Sequence, residues 1–208
     1  MTRSQIVSIA EKIIEMFYHD FDEKDPFKIL ISTILSQRTR DENTLVASQN
    51  LFSKYPNVES LAKAKPEEIY DLIKPSGMYR QKAERIIEVS KIILEKYNGK
   101  VPSDLDELLK LPGVGRKTAN IVLFQGFSIP AIAVDTHVHR ISNRLGFVKT
   151  KTPEQTEEEL SKVLPKRLWG PINVAMVNFG RNICLPRNPR CEKCPFSKEC
   201  KYHNSAVD

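Results

Sequence analysis

Four cysteines carry the most explicit chemistry in this chain. Cys184, Cys191, Cys194 and Cys200 are separated by six, two and five residues, and no cysteine occurs before position 184. Four thiols so close together read as a metal-ligand set. All-cysteine zinc sites commonly use two short C-x2-4-C pairs, whereas here one such pair is flanked by longer gaps. Four thiolates also suit a [4Fe–4S] cluster, although the bacterial ferredoxin spacing does not match. Ligand chemistry alone leaves both metals open. Between the first two cysteines lies Leu185-Pro186-Arg187-Asn188-Pro189-Arg190. A short loop pinned at both ends would hold Arg187 and Arg190 rigidly for phosphate contacts. The metal is therefore expected to be structural.

A second constellation is Leu111-Pro112-Gly113-Val114-Gly115-Arg116-Lys117-Thr118-Ala119. Apolar helical residues stand on both sides of a turn in which Gly113 and Gly115 allow tight reversal and close approach of a ligand. The helix opening after the turn presents unpaired N–H groups and a positive dipole end, which suit a phosphate oxygen. Such a contact recognises backbone without reading sequence. An ordinary helix–helix connection would look the same. Lys117 lies in the first turn of that helix, where the dipole disfavours an ammonium, as partial burial would. A neutral amine is what Schiff-base chemistry requires. Most lysines are solvated surface groups, so Lys117 alone carries little weight.

The third is Val134-Asp135-Thr136-His137-Val138-His139-Arg140. Asp135 can simply cap the helix that begins at Thr136. The same placement lets its carboxylate shuttle a proton or stabilise positive charge on a sugar carbon, and the two readings are compatible. His137 and Arg140 share that helix start and could contact DNA, though a buried, satisfied histidine is the commoner case.

The elements that must position these residues read as helices almost throughout. Ile6, Ile9, Ala10, Ile13, Ile14 and Phe17 follow one helical face. Asp25-Pro26 reads as an N-cap with proline at the first position, opening a helix to about residue 35. Further helices are expected at 41–54, 66–74, 80–97, 104–111, 115–125, 136–145, 153–164 and 171–182. Asn98-Gly99, Gly126 and Gly146 are expected stops. Thr152-Pro153-Glu154-Gln155 reads as a capping box. Residues 129–134 are the best strand candidate, but Pro130 makes them an extended connection. The expected fold is all-α.

Among 208 residues, 32 are Lys or Arg and 26 are Asp or Glu, giving a net charge of +6 that favours a polyanionic partner. No stretch approaches the ~20 apolar residues that span a bilayer. The N-terminus lacks the apolar region of a secretion signal, so a cytoplasmic protein, associated with the nucleoid in a prokaryote, is expected.

Together the hairpin segment through Asn120, Val134-Asp135-Thr136-His137 and the cysteine spacing resemble the endonuclease III family of helix-hairpin-helix DNA glycosylases, in that family's order and separations. The resemblance spans about residues 5–200. It implies a two-lobed all-α fold: a helical barrel domain at 22–131 with the hairpin, and a cluster-containing domain formed by 1–21 plus 132–208. It implies a [4Fe–4S] cluster on Cys184, Cys191, Cys194 and Cys200, Lys117 as the Schiff-base nucleophile and Asp135 as the catalytic aspartate. The implied activity removes oxidised pyrimidines and nicks the strand by β-elimination. The implied partner is double-stranded DNA with damaged bases or abasic sites, bound by a monomer with no membrane involvement.

Two further segments carry over from the family. Gly77-Met78-Tyr79 resembles its wedge turn, with Met78 entering the duplex. Ser36-Gln37-Arg38-Thr39 falls where the family has a glutamine that fills the vacated base space. Here the equivalent position is Arg38, with Gln37 one residue earlier, so either could serve. Lysine at 117 argues against relatives with tyrosine there. A non-catalytic cluster protein would need the cysteines and basic loop, but neither Lys117 nor Asp135.

Overall fold

The Asp25 carboxylate accepts a hydrogen bond from the Phe27 amide at 2.9 Å, and Pro26 follows as the first helical residue. The helix they open buries Phe27, Ile29, Leu30, Ile31, Ile34 and Leu35. A helix apolar over most of its circumference belongs inside a core, where each such buried side chain contributes about 1.5–3 kcal/mol. The computed structural model describes residues 1–205. Its helices are α1 (Arg3–Phe17), α2 (Pro26–Leu35), α3 (Asp41–Lys54), α4 (Val58–Ala62), α5 (Pro66–Ile73), α6 (Tyr79–Lys96), α7 (Leu105–Leu109), α8 (Arg116–Ile121), α9 (Thr136–Leu145), α10 (Pro153–Val163), α11 (Lys166–Asn182) and α12 (Lys201–Ser205). No strand occurs among the described residues, and no helix is long and apolar enough to cross a membrane.

The chain divides into two units, Phe21–Ile129, and Met1–Asp20 with the chain from Pro130 onward. In the first, α2 packs against α3, α6 and α8, and α4 and α5 pack on α6. In the second, α1 lies along α11, and Ile6, Ile9, Ala10 and Ile13 share a core with Val138, Ile141, Leu145 and Phe179. Phe179 stacks near Phe17 and edge-on to Phe196, with centroids 5.2 and 5.7 Å away. Phe196 follows Cys194 closely, so this contact fastens the cysteine segment to the core.

Several elements depart from the periodicity. Val58–Ala62 is a short helix opened by Asn57, whose side chain accepts from the Ser60 amide at 2.9 Å. The helix expected from 171 begins at Lys166, because buried Leu168 anchors an earlier turn and its amide donates to Pro165 O at 2.9 Å. Pro171 then removes only the bond to the Arg167 carbonyl. Gly126 does not stop a helix by a left-handed turn. The helix runs through α8 and widens into a π-turn at Val122–Gly126, and a side chain at 126 would meet Pro26 at 3.1 Å. At Thr152 the expected box is shifted: its hydroxyl accepts from the Gln155 amide, while the Gln155 side chain accepts from the Lys151 amide at 2.9 Å.

Candidate active site

The hairpin is α7, the turn 110–115 and α8. Gly113 has φ +76, a conformation that suits glycine, and a Cβ there would lie 2.5 Å from Arg85 Nη1. Gly115 differs. Its backbone is extended at φ −94, ψ −179, which any residue adopts, and nothing lies within 4 Å of a Cβ placed on it. Gly115 therefore contributes open access, and Gly113 contributes the turn. The first helical bond of α8 runs from the Ala119 amide to Gly115 O, so the amides of residues 116–118 stand outside the ladder. Thr118, Ala119 and Asn120 are buried, while Lys117 is exposed. The partial burial considered for Lys117 is therefore not found.

Gln37, Arg38 and Met78 come together in this same unit, lining an open cavity of about 390 Å³ with Ile34, Gln81, Lys82 and Arg85. Gln37 Nε2 donates to Gly113 O at 3.1 Å, which ties this loop to the hairpin. Arg38 and Met78 both have positive φ, +54 and +46, although neither is glycine. Met78 is 48% exposed at the start of α6. Lys82 had no assigned role in the sequence. Its ammonium is buried and donates to Leu35 O, Thr39 Oγ1 and Ser76 O at 2.8, 2.8 and 2.7 Å. Burial pushes it below the ordinary lysine range. The available signal was a lysine four residues before Ile86, on the apolar face of α6.

Asp135 belongs to the second unit. It follows the extended, buried Ala131–Val134 segment, whose Ala133 carbonyl accepts from Asn173 Nδ2 at 2.8 Å. Asp135 Oδ1 caps α9 by accepting from the Val138 amide at 2.8 Å, so the capping reading holds. His137 Nδ1 is 3.2 Å from Arg140 Nη2, which also donates to Cys184 O at 2.9 Å.

The four cysteines line one pocket with Arg144, Phe179 and Arg190 among others. Arg144 donates to Leu185 O and Pro186 O at 2.7 and 2.8 Å and reaches Cys184 Sγ at 3.5 Å. Cys200 Sγ donates to Arg144 O at 3.4 Å. Burial pushes the Cys194 thiol up to about 11. Among the described residues, no three His, Cys, Asp or Glu converge as a site for a single metal ion. Arg187 and Arg190 are both exposed but not equivalent: Arg190 Nη1 donates to Asn182 O at 3.2 Å. Arg140 and Arg144, which brace this loop from one face of α9, were not singled out as loop anchors. Their spacing of four was the visible signal.

Residues 31–166 match the family of helix-hairpin-helix (HhH-GPD) superfamily base excision DNA repair proteins. The endonuclease III of Thermotoga maritima is 65% identical over 198 residues, covering 95% of this chain and 93% of its own. The chain belongs to the endonuclease III family of that superfamily. A solved endonuclease III trapped as a covalent intermediate with DNA superposes with TM-score 0.91 at 37% identity, covering all of both chains. A thermostable thymine-DNA glycosylase superposes with TM-score 0.89 at 30% identity, over 98% of this chain and 97% of its own. The same fold is thus shared with an enzyme named as a thymine-DNA glycosylase.

Proposed function

We propose that this chain is a bifunctional DNA glycosylase and AP lyase of base excision repair that removes oxidised pyrimidines from double-stranded DNA. The observation that carries this reading is Lys117, exposed at the second position of α8 directly after an open turn. It is supported by likeness to an enzyme that has been trapped covalently on DNA.

The reaction begins with extrusion of the damaged base, which costs a few kcal/mol and less where pairing is already impaired. The Lys117 amine attacks C1′ of the sugar, the C1′–N bond breaks and the base leaves. The C1′–O4′ bond of the resulting aminal then opens, with O4′ taking a proton, to give the imine. The imine acidifies C2′, and loss of a C2′ proton with breakage of the C3′–O bond expels the phosphate by β-elimination and nicks the strand 3′ to the lesion. Asp135 is the catalytic carboxylate of this reading, able to carry a proton and to stabilise positive charge at C1′. Oδ1 is committed to the helix cap, so Oδ2 is the oxygen left for this work. The amides of residues 116–118 receive a phosphate oxygen, Met78 enters the duplex, and Arg38 or Gln37 fills the space of the extruded base.

Cys184, Cys191, Cys194 and Cys200 would hold a [4Fe–4S] cluster. Their all-thiol donor set around one pocket fits it. When bound, the cluster would pin the 184–200 segment and the arginines it carries.

Borohydride should trap a covalent complex between this protein and abasic DNA, and Lys117→Ala should abolish it. Trapping that survives the substitution would remove Lys117 as nucleophile.

A further inference from the structure

We infer that Lys82 is a positioning residue that locks the loop after α2 to the turn before α6, so that Arg38 and Met78 enter the duplex as one rigid pair. The inference rests on the glycosylase reading above.

Lys82 is 6% exposed, on the buried face of α6 beside Ala83 and Ile86. A buried ammonium is costly unless its donors are satisfied, and an apolar side chain would fill this position without that cost. What the lysine supplies is three donors from one atom. They go to three acceptors on two separate segments: Leu35 O and Thr39 Oγ1 on one, Ser76 O on the other. Thr39 strengthens the junction, because its hydroxyl also hydrogen-bonds Ser76 O.

The two joined segments carry the strained residues. Arg38 precedes Thr39, Met78 follows Ser76 by two, and both hold left-handed φ without being glycine. Such conformations persist where surroundings over-determine them, and they aim side chains at function. Arg38 and Met78 line the same open cavity. Without the Lys82 junction, each segment could relax to unstrained backbone independently, and the two side chains would lose their fixed separation. A hub of neutral acceptors therefore converts two loops into one inserting edge.

The test uses a duplex carrying a tetrahydrofuran abasic analogue opposite 2-aminopurine, whose fluorescence rises when the base is unstacked. Wild type, Lys82→Met and Thr39→Val are compared, with thermal unfolding of each recorded. Thr39→Val keeps the ammonium and removes one arm of the junction, so it reports even if Lys82→Met folds poorly. Both variants are expected to bind within about threefold of wild type while giving about half or less of its fluorescence rise, as expected when wedging is lost but phosphate contacts remain. A full rise in the variants, or a loss that merely tracks lost binding, overturns the role of Lys82. A wild type that neither binds this duplex nor forms the borohydride-trapped complex overturns the glycosylase reading, and the inference falls with it.

Discussion

The side-chain amide of Gln37 donates to the carbonyl oxygen of Gly113 at 3.1 Å, so the loop after α2 is fastened to the hairpin turn. This bond separates two residues that sequence alignment left interchangeable. Gln37 is engaged with the protein's own backbone, while Arg38 projects from a left-handed residue into the cavity. Gln37→Ala should slow excision by a similar factor whatever base stands opposite the lesion. Arg38→Ala should change the ratio between opposite guanine and opposite adenine. Single-turnover excision on the two duplexes checks both, and a base-dependent effect confined to Gln37→Ala would reverse the assignment.

The two hairpin glycines should fail differently. Gly113→Ala forces a side chain into positive φ and against Arg85, whose Cδ would lie 3.0 Å from the new carbon. The expected loss is about 1–3 kcal/mol of stability, together with weaker DNA binding. Gly115→Ala meets open space and an ordinary backbone, so thermal unfolding should be nearly unchanged while DNA binding weakens. Equal thermal shifts in both variants would contradict this division.

Local capping chemistry made much of this fold legible. Asp25-Pro26 and Asp135 begin helices where expected, because an oxygen-bearing cap beside the first amides is a short-range signal. The extended segment before Asp135 was equally readable, since Pro130 rules out a central strand. The start of α11 was not, because Pro171 mimics a helix start and only tertiary burial of Leu168 overrides it. The π-turn at Val122–Gly126 depends on packing near Pro26, a long-range contact. For the site, residue types and spacing pointed to Lys117, Asp135 and the cysteines as candidates. Lys82 was hidden because its role lies in bringing together two backbone carbonyls and the Thr39 hydroxyl from separate segments, which no spacing encodes.

Arg187 and Arg190 should separate in their effects on the loop. Each substitution to Ala should weaken binding across all sequences and reduce the salt dependence by about one unit of slope. Arg190 also donates to Asn182 O, so only Arg190→Ala should lower thermal stability as well. A loss confined to one lesion type would contradict phosphate contact by either.

Purified protein should be yellow-brown with about four irons per chain, as for one cluster on four cysteines. Arg144 holds two carbonyls of the loop that begins at Cys184. Arg144→Ala should therefore lower iron content and the absorbance of the cluster in parallel. A colourless preparation with stoichiometric zinc would overturn the metal assignment.

The buried Lys82 ammonium also makes a prediction about pH. Burial lowers its folded-state value below the ordinary 10.5, and no carboxylate lines the cavity it faces, where Arg38 and Arg85 are the other charged groups. Below the lowered value, folded and unfolded chains both hold the proton, and the cost of burying the charge is present in full. Between the lowered value and 10.5, the unfolded chain holds more protons than the folded one, so stability must rise with pH across that window. The neutral amine still keeps two N–H donors for its three acceptors. Lys82→Met has no such group, so subtracting its unfolding free energy from that of wild type isolates this titration. The difference should be flat below the lowered value and move in favour of wild type between that value and 10.5. A difference that moves in favour of Lys82→Met over the same range would show that the folded chain holds this proton more tightly than the unfolded one.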